Sequence, residues 1–454
     1  MNPSPTLLLP AERIPIAHEC DLCVIGGSCT GIFAAVRAAR LGARVAVVEL
    51  QSQFGGMATT AQVNAWHSIE DVGRTRQIIG GLLVEVVARL RKRGAIRDIT
   101  PVHRDQFNFN SAELAVELDA LVTEHGIRPF LCARFTAPVM EGGHIVAAVI
   151  EDKGGRRAIK AAQFIDASGD GDLLRRAGFE AVRHDALQPV SYQSQAIGID
   201  AWHRKNPGVN LWEEIRPLAE AHGFPGSNPW LGVVPGAPSV HNIFGARLNG
   251  VDASDPEELT RALMEGRRIA RAFLDMIRER FGESASEVAL LSVAQALGVR
   301  ETWHAVCHHR LTQDELLGGA RFHDAIAYGT YPVDIHHPGG TSLLYLDGRE
   351  EVVSPLGGGA WKRWKPEGEP TAPYFQLPYR CLVPKGSQNL LVAGRLVDAD
   401  RGAYGALRVQ VNTNQMGEAA GVAATLALEG RKGVGEVDPT ALRNLLAKGG
   451  SIML

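Results

Sequence analysis

Long apolar runs are missing from this chain of 454 residues. No stretch approaches the roughly 18 uninterrupted apolar residues that a membrane-spanning helix needs, so no membrane insertion is expected. The N-terminal segment MNPSPTLLLPAERIPIAHEC has no basic region, and its only apolar run, 7–9, is closed by Pro10. It does not read as a signal peptide. Cysteine is scarce too: Cys20, Cys23, Cys29, Cys132, Cys307 and Cys381 are scattered, as suits a reduced compartment. These absences lead us to expect a cytoplasmic protein. Charge of one sign is also lacking, with 47 Lys+Arg against 50 Asp+Glu and a net charge of −3. That excludes a strongly basic surface and argues against a general nucleic-acid binder.

Glycine is abundant, at 50 residues, above the usual ~7% and without collagen period or low complexity. Such glycines point to tight turns around a ligand. The strongest local signal is DLCVIGGSCTGIFAAVRAARLGARVAVVE. The short apolar run 22–25 ends in a glycine turn. Ile32, Ala35, Val36 and Ala39 recur at helical spacing, Gly42 is placed to stop the helix, and 44–48 is a second apolar run. Strand, turn, helix and strand make a βαβ unit, the building block of a parallel sheet. Further on, the pattern predicts helices at 80–95 and 111–125 and short β pieces over 127–151. A strand at 160–167 follows, then a long helix at 256–280 capped by Asp255. A strand at 389–393 and an alanine-rich helix at 415–429 come last. Between about 190 and 378, prolines, tryptophans and histidines become common.

The turn reads Gly26-Gly27-Ser28-Cys29-Thr30-Gly31. Gly26 and Gly31 hold the outer positions of G-x-G-x-x-G, and Ser28 stands at the middle one. There its Cβ would push a phosphate outward, or its hydroxyl would donate to it. Glu49 ends the second strand, 18 residues beyond Gly31, where a carboxylate accepts from ribose hydroxyls. Gly55, Gly56 and Met57 follow, and a glycine pair there lets the backbone pass close to a long cofactor such as FAD. The second glycine cluster, Gly357-Gly358-Gly359, has neither flanking strand nor acid, so a separate nicotinamide domain is not expected. Cys20 and Cys23 form a C-x-x-C, but the pair runs into a strand where residues three apart point to opposite faces. No second C-x-x-C completes a zinc site, and the pair reads as structural.

Taken in order, the first βαβ unit, FGGM, FIDASGDGDLLRRAG, ALGVRET, YPVDIH, LPYRCLVP, NLLVAGR and MGEAAGVAA resemble the bacterial FAD-dependent oxidoreductases of the glutathione-reductase-like flavoprotein superfamily. The resemblance covers about 20–185 and 285–430. It implies an α/β protein with a Rossmann-like FAD-binding domain, three-layered with a mostly parallel sheet, discontinuous over 18–190 and 379–454. A mixed α+β substrate or cap domain, 191–378, would be inserted between, with dimerisation through it plausible. It implies that residues 26–31 hold the FAD pyrophosphate and Glu49 the ribose, and that Gly55, Gly56 and Met57 lie along the cofactor. Ala133 would meet the adenine. Ala167, Ser168 and Gly169 would form a second turn, with Asp172 nearby, and Gly394 and Arg395 would return to the flavin side. Ser28 and Ser168 depart from the family's usual glycine and threonine. The stretch 405–417 would aim a helix N-terminus at the flavin pyrimidine edge, with Arg408 adding positive charge.

For the chemistry, His336 is the candidate that takes a proton while hydride moves to flavin N5, with His337 second. Arg300, Arg395 and Arg401 are candidates to clamp an anion, and Tyr404 to donate a proton. His304, Cys307, His308 and His309 have metal-like spacing. The family pattern makes their segment extended, where they do not converge, and no metal is expected. The expected function is hydride transfer between a small organic substrate and FAD, with the electron acceptor open. An NAD-dependent dehydrogenase, a flavin-dependent monooxygenase and a non-catalytic flavin-binding protein are the alternatives.

Overall fold

The computed structural model describes residues 6–8, 11–100, 103–225, 229–354 and 358–454. Of the sequence features above, residues 1–5, Leu9, Pro10 and Gly357 lie outside the described residues.

Five short apolar strands form one parallel sheet: β1 (Leu22–Ile25), β2 (Val45–Val48), β3 (Arg128–Phe130), β4 (Gln163–Asp166) and β5 (Leu390–Val392), in the order β5-β4-β1-β2-β3. Strands buried on both faces read as unbroken apolar runs, and alternate side chains go to opposite layers. Val24, Val47, Ile165 and Leu391 face a helical layer. Cys23, Ile25, Ala46, Val48, Phe164 and Val392 face Phe135, Ile145, Ile150 and Ile159 of a second sheet. That sheet is antiparallel over Arg134–Glu141, His144–Asp152 and Gly155–Lys160, with Ile16–Glu19 added in parallel. The result is an α/β protein of three layers. Cys20 precedes β1, so strand alternation does not govern it, and both Cys20 and Cys23 pack into the same apolar cluster. This corrects the opposite-face argument. Both are free thiols, and burial pushes Cys20 up to about 12, so the pair is held protonated.

The helical layer is built on α1 (Cys29–Arg40). Later in the chain, α2 (Pro256–Phe281) lies on an antiparallel sheet of Trp230–Val234, Ala237–Leu248, Val190–Ile197 and Ala289–Val293. Asp255 caps α2 by accepting from the Glu257 and Glu258 N–H groups, with Pro256 at its first position. Trp202, Phe273, Met276 and Ile277 form a core of their own there. By contrast Leu311, Ile326, Tyr328 and Phe375 join the core that α1 occupies.

Later come α3 (Arg401–Leu407), capped by Asp400, and α4 (Gln410–Gly430), followed by a final helix, Pro439–Lys448. α4 begins five residues before the expected 415, because polar residues invisible to an apolar period are buried there. Gln410 bridges Trp66 Nε1 and the Val63 carbonyl, and Gln415 bridges both main-chain groups of Tyr328. α4 lies backbone to backbone on α1. A Cβ at Gly417 would come 2.1 Å from the Thr30 carbonyl oxygen, and one at Gly421 2.1 Å from that of Ala34. Among the described residues no helix is long and apolar enough to cross a membrane.

Candidate active site

In a parallel sheet the carboxyl ends of the strands all open on one edge, where ligands bind. Here that edge carries Gly26 after β1, Glu49 after β2, Ala167 after β4 and Gly394 shortly after β5. The first turn is tight for a physical reason. Gly26 has φ +100°, and a Cβ on it would meet the Ala167 carbonyl oxygen at 2.4 Å. A Cβ on Gly31 would lie 1.9 Å from the Gly26 carbonyl oxygen. Ser28 is the N-cap of α1, its Oγ accepting from the Gly31 N–H at 3.3 Å. Among the described residues the Cys29 and Thr30 N–H groups find no acceptor, so the positive end of α1 keeps donors to offer an anion. The Cys29 thiol is buried and pushed up to about 12.

Glu49 is buried, its carboxylate fixed by the Gly27 N–H at 2.6 Å and the Gln51 N–H at 2.7 Å. Burial raises its pKa. Gly55 is tied to the turn by its N–H on the Gly27 carbonyl at 2.8 Å, with Gly56 and Met57 next in a 3₁₀ turn. Ala133 is buried with its N–H on the Glu49 carbonyl at 3.0 Å, in a loop rather than the expected strand. The second turn is organised by Asp166, which the sequence pattern did not single out. Its fully buried carboxylate accepts from Ser168 N and Oγ and from the Leu173 and Leu174 N–H groups. Desolvation raises it to about 6. Arg395 crosses Gly169 to pair with Asp170 at 3.0 Å, while Asp172 turns outward to Arg176 at 2.7 Å.

A second, charged cluster surrounds His336. Asp334 accepts from Arg408 and from the Tyr331 hydroxyl, each at 2.7 Å, and its other oxygen lies 3.2 Å from His336 Nε2. The Arg408 guanidinium holds Asp334 far below the usual carboxylate range despite burial. Arg247 donates to Thr341 Oγ1 at 2.8 Å, and that hydroxyl lies 2.9 Å from His336 Nδ1. With the imidazole proton on Nε2, the side that faces the Asp334 carboxylate, the Thr341 hydroxyl accepts from Arg247 and donates to Nδ1. Burial and the nearby Arg300 lower His336 to about 3, so it is neutral. Arg300 donates to the Pro189 carbonyl at 2.6 Å. Neither Arg247 nor Asp334 and Thr341 had been singled out from the sequence.

Tyr404 is fully buried and its hydroxyl donates to the Arg300 carbonyl at 2.7 Å, so it braces the arginine's backbone. Arg401 starts α3 with a buried, unpartnered Nε, and His337 is partly exposed. His304 has an acidic neighbour in Glu301. Glu301 accepts from both His184 and His304, which places three ligand-type atoms within 4.8 Å of one another. Cys307, His308 and His309 do not join them: the Cys307 N–H goes to Asp398 and His309 to Glu315.

A family model described as FAD dependent oxidoreductase matches residues 21–446. No curated protein matches the chain in sequence. Among solved structures, the chain is similar to a geranylgeranyl bacteriochlorophyll reductase-like protein from Thermoplasma acidophilum, at 12% identity and a TM-score of 0.47 over 95% of this chain and 83% of that one. It is similar to the myxobacterial chondrochloren halogenase, at 13% identity and 0.44 over 95% and 80%. It is similar also to the flavin-dependent monooxygenase PieE, at 13% identity and 0.45 over 96% and 62%.

Proposed function

The chain belongs to the FAD dependent oxidoreductase family, and from that premise we propose that it transfers a hydride between a small organic substrate and flavin N5, as one of the bacterial, glutathione-reductase-like group. The observation that carries this reading is the convergence of the 26–31 turn, Glu49 and the 167–169 turn on one sheet edge, with α4 packed against Thr30.

The residues fit the cofactor. The helix start at Ser28, Cys29 and Thr30 would take the pyrophosphate, and the anchored Glu49 carboxylate has lone pairs left for ribose hydroxyls. Gly55, Gly56, Met57, Ala133, Ala167, Ser168, Gly169, Gly394 and Arg395 would line the rest, and Arg408 would set positive charge on the flavin side. Asp172, on its surface pair with Arg176, would act only through its backbone. When bound, FAD supplies the two-electron acceptor or donor at N5. On the substrate side, a His336 proton on Nε2 faces the Asp334 carboxylate, and in that tautomer Nδ1 is the nitrogen with a lone pair. Turning the Thr341 hydroxyl away opens Nδ1 to the proton that leaves the substrate. Tyr331 and Arg408 hold Asp334 in place for this.

The test is an anaerobic screen of small organic molecules for bleaching of the protein's visible flavin colour. The expected result is bleaching by one chemical class, slowed on the order of 100-fold or more in His336→Ala, the usual scale of a lost general base. Wild-type bleaching rates in that variant would remove His336 from the mechanism. Oxygen uptake tied to nicotinamide consumption would identify a monooxygenase instead.

A further inference from the structure

Three arginines from distant parts of the chain meet beside His336: Arg247 from the strand Ala237–Leu248, Arg300 after the strand Ala289–Val293, and Arg408 at the end of α3. Among the described residues only one carboxylate, that of Asp334, pairs with any of the three. Asp334 is taken by Arg408. Arg247 uses one N–H on Thr341 and Arg300 one on the Pro189 carbonyl. Among the described residues, neither guanidinium has a carboxylate within 4.0 Å. Glu301, next to Arg300 in sequence, is turned to His184 and His304. Arg395 does not contribute, being paired with Asp170.

A guanidinium has five donors and cannot shed its charge, so two of them in a sheltered place call for an anion. Burial, with Arg408 close by, depresses Arg300 to about 9, the behaviour of a cation short of a counterion.

Resting on the hydride-transfer reading above, we propose that the substrate is a small organic carboxylate, its carboxylate clamped by Arg247 and Arg300. Planar guanidiniums match carboxylate geometry bidentately. The anion would lie next to the Arg247–Thr341–His336–Asp334 chain, which places the substrate beside His336 Nδ1.

The test titrates the FAD-loaded protein with acetate, benzoate, their amides and inorganic phosphate, following the flavin visible spectrum. Benzoate is expected to bind and benzamide to bind on the order of 100-fold more weakly. Arg247→Met and Arg300→Met should each weaken benzoate on the order of 30-fold or more, as when one partner of a desolvated charge pair is removed. Arg247→Lys should recover part of that loss, and benzamide should hardly respond. Bound FAD and the melting temperature report whether each variant is folded, and Arg247→Lys keeps the question answerable if the methionine variants are not. Equal binding of benzoate and benzamide, unchanged benzoate binding in the arginine variants, or tighter binding of phosphate than of either carboxylate would overturn the proposal. The two readings fail separately. Carboxylates that bind but never bleach the flavin count against hydride transfer, whereas bleaching only by neutral molecules counts against the clamp.

Discussion

Gly31→Ala is the sharpest single probe of the dinucleotide turn. The added Cβ would sit 1.9 Å from the Gly26 carbonyl oxygen and 3.3 Å from Val24 Cγ1. A carbon and an oxygen cannot approach closer than about 3 Å, so roughly 1 Å must be found by moving backbone, since no flexible side chain stands in the way. Gly26 is itself pinned, with its N–H on the Val48 carbonyl at 2.8 Å and its α-carbon against Ala167. The helix start must therefore back away from the turn. A shift of that size removes at least one charge-assisted hydrogen bond to the pyrophosphate, about 1.5–3 kcal/mol, or about 10- to 150-fold in the FAD dissociation constant. Flavin-stripped protein titrated with FAD, read by flavin fluorescence, gives that ratio. Gly178→Ala is the control: it also has a positive φ of +84°, but nothing lies within 4 Å of its added Cβ. It should lower the melting temperature and leave FAD affinity alone. A folded Gly31→Ala protein that binds FAD within about twofold of wild type would refute the argument, since even one lost hydrogen bond exceeds that.

Two further outcomes test the charged interior. Asp334→Asn removes the only carboxylate hydrogen-bonded to Arg408 among the described residues, where the two side chains are 4% and 10% exposed. Leaving that guanidinium unpaired should cost about 3–5 kcal/mol in denaturant unfolding, and a loss below about 1 kcal/mol would mean water already solvates it. Burial lifts Glu418 from 4.5 to about 7, beyond what Arg37 at 3.6 Å restores. As pH rises between those values the unfolded chain gives up this proton before the folded one does, so the folded state holds more protons and its stability falls. Glu418→Gln keeps an acceptor for the Leu82 N–H. Its stability relative to wild type should therefore rise across that pH range in paired unfolding curves, and a flat difference would place the carboxyl in contact with water.

Much of the first strand–turn–helix–strand unit was legible because its information is local. The run Leu22–Ile25, the glycines at 26, 27 and 31, the helix after them and Glu49 at the end of the next strand lie within one stretch of chain. Their spacing encodes a turn, a helix dipole and an acid at the carboxyl end of one βαβ unit. The helix Pro256–Phe281 was equally readable, its cap, its proline and its apolar face all being local signals. The start of α4 was not, because its half-buried Gln410 and buried Asn412 and Asn414 look like surface residues until Trp66, Val63 and Ala406 are packed around them.

The sequence by itself determined that a parallel sheet would present a nucleotide-shaped glycine turn, and it marked His336, Arg300 and Arg408 as chemically capable. Only the tertiary structure decided what those groups do to one another. Arg247, Arg300, Asp334 and Arg408 are separated by dozens of residues, and nothing in local spacing brings them together. Packing sets Tyr404 against the Arg300 backbone, turns Glu301 toward two histidines, and leaves Arg247 and Arg300 with no carboxylate within 4.0 Å among the described residues. Charge and hydrogen-bond pairing act through space, while sequence patterns report only what neighbours along the chain require.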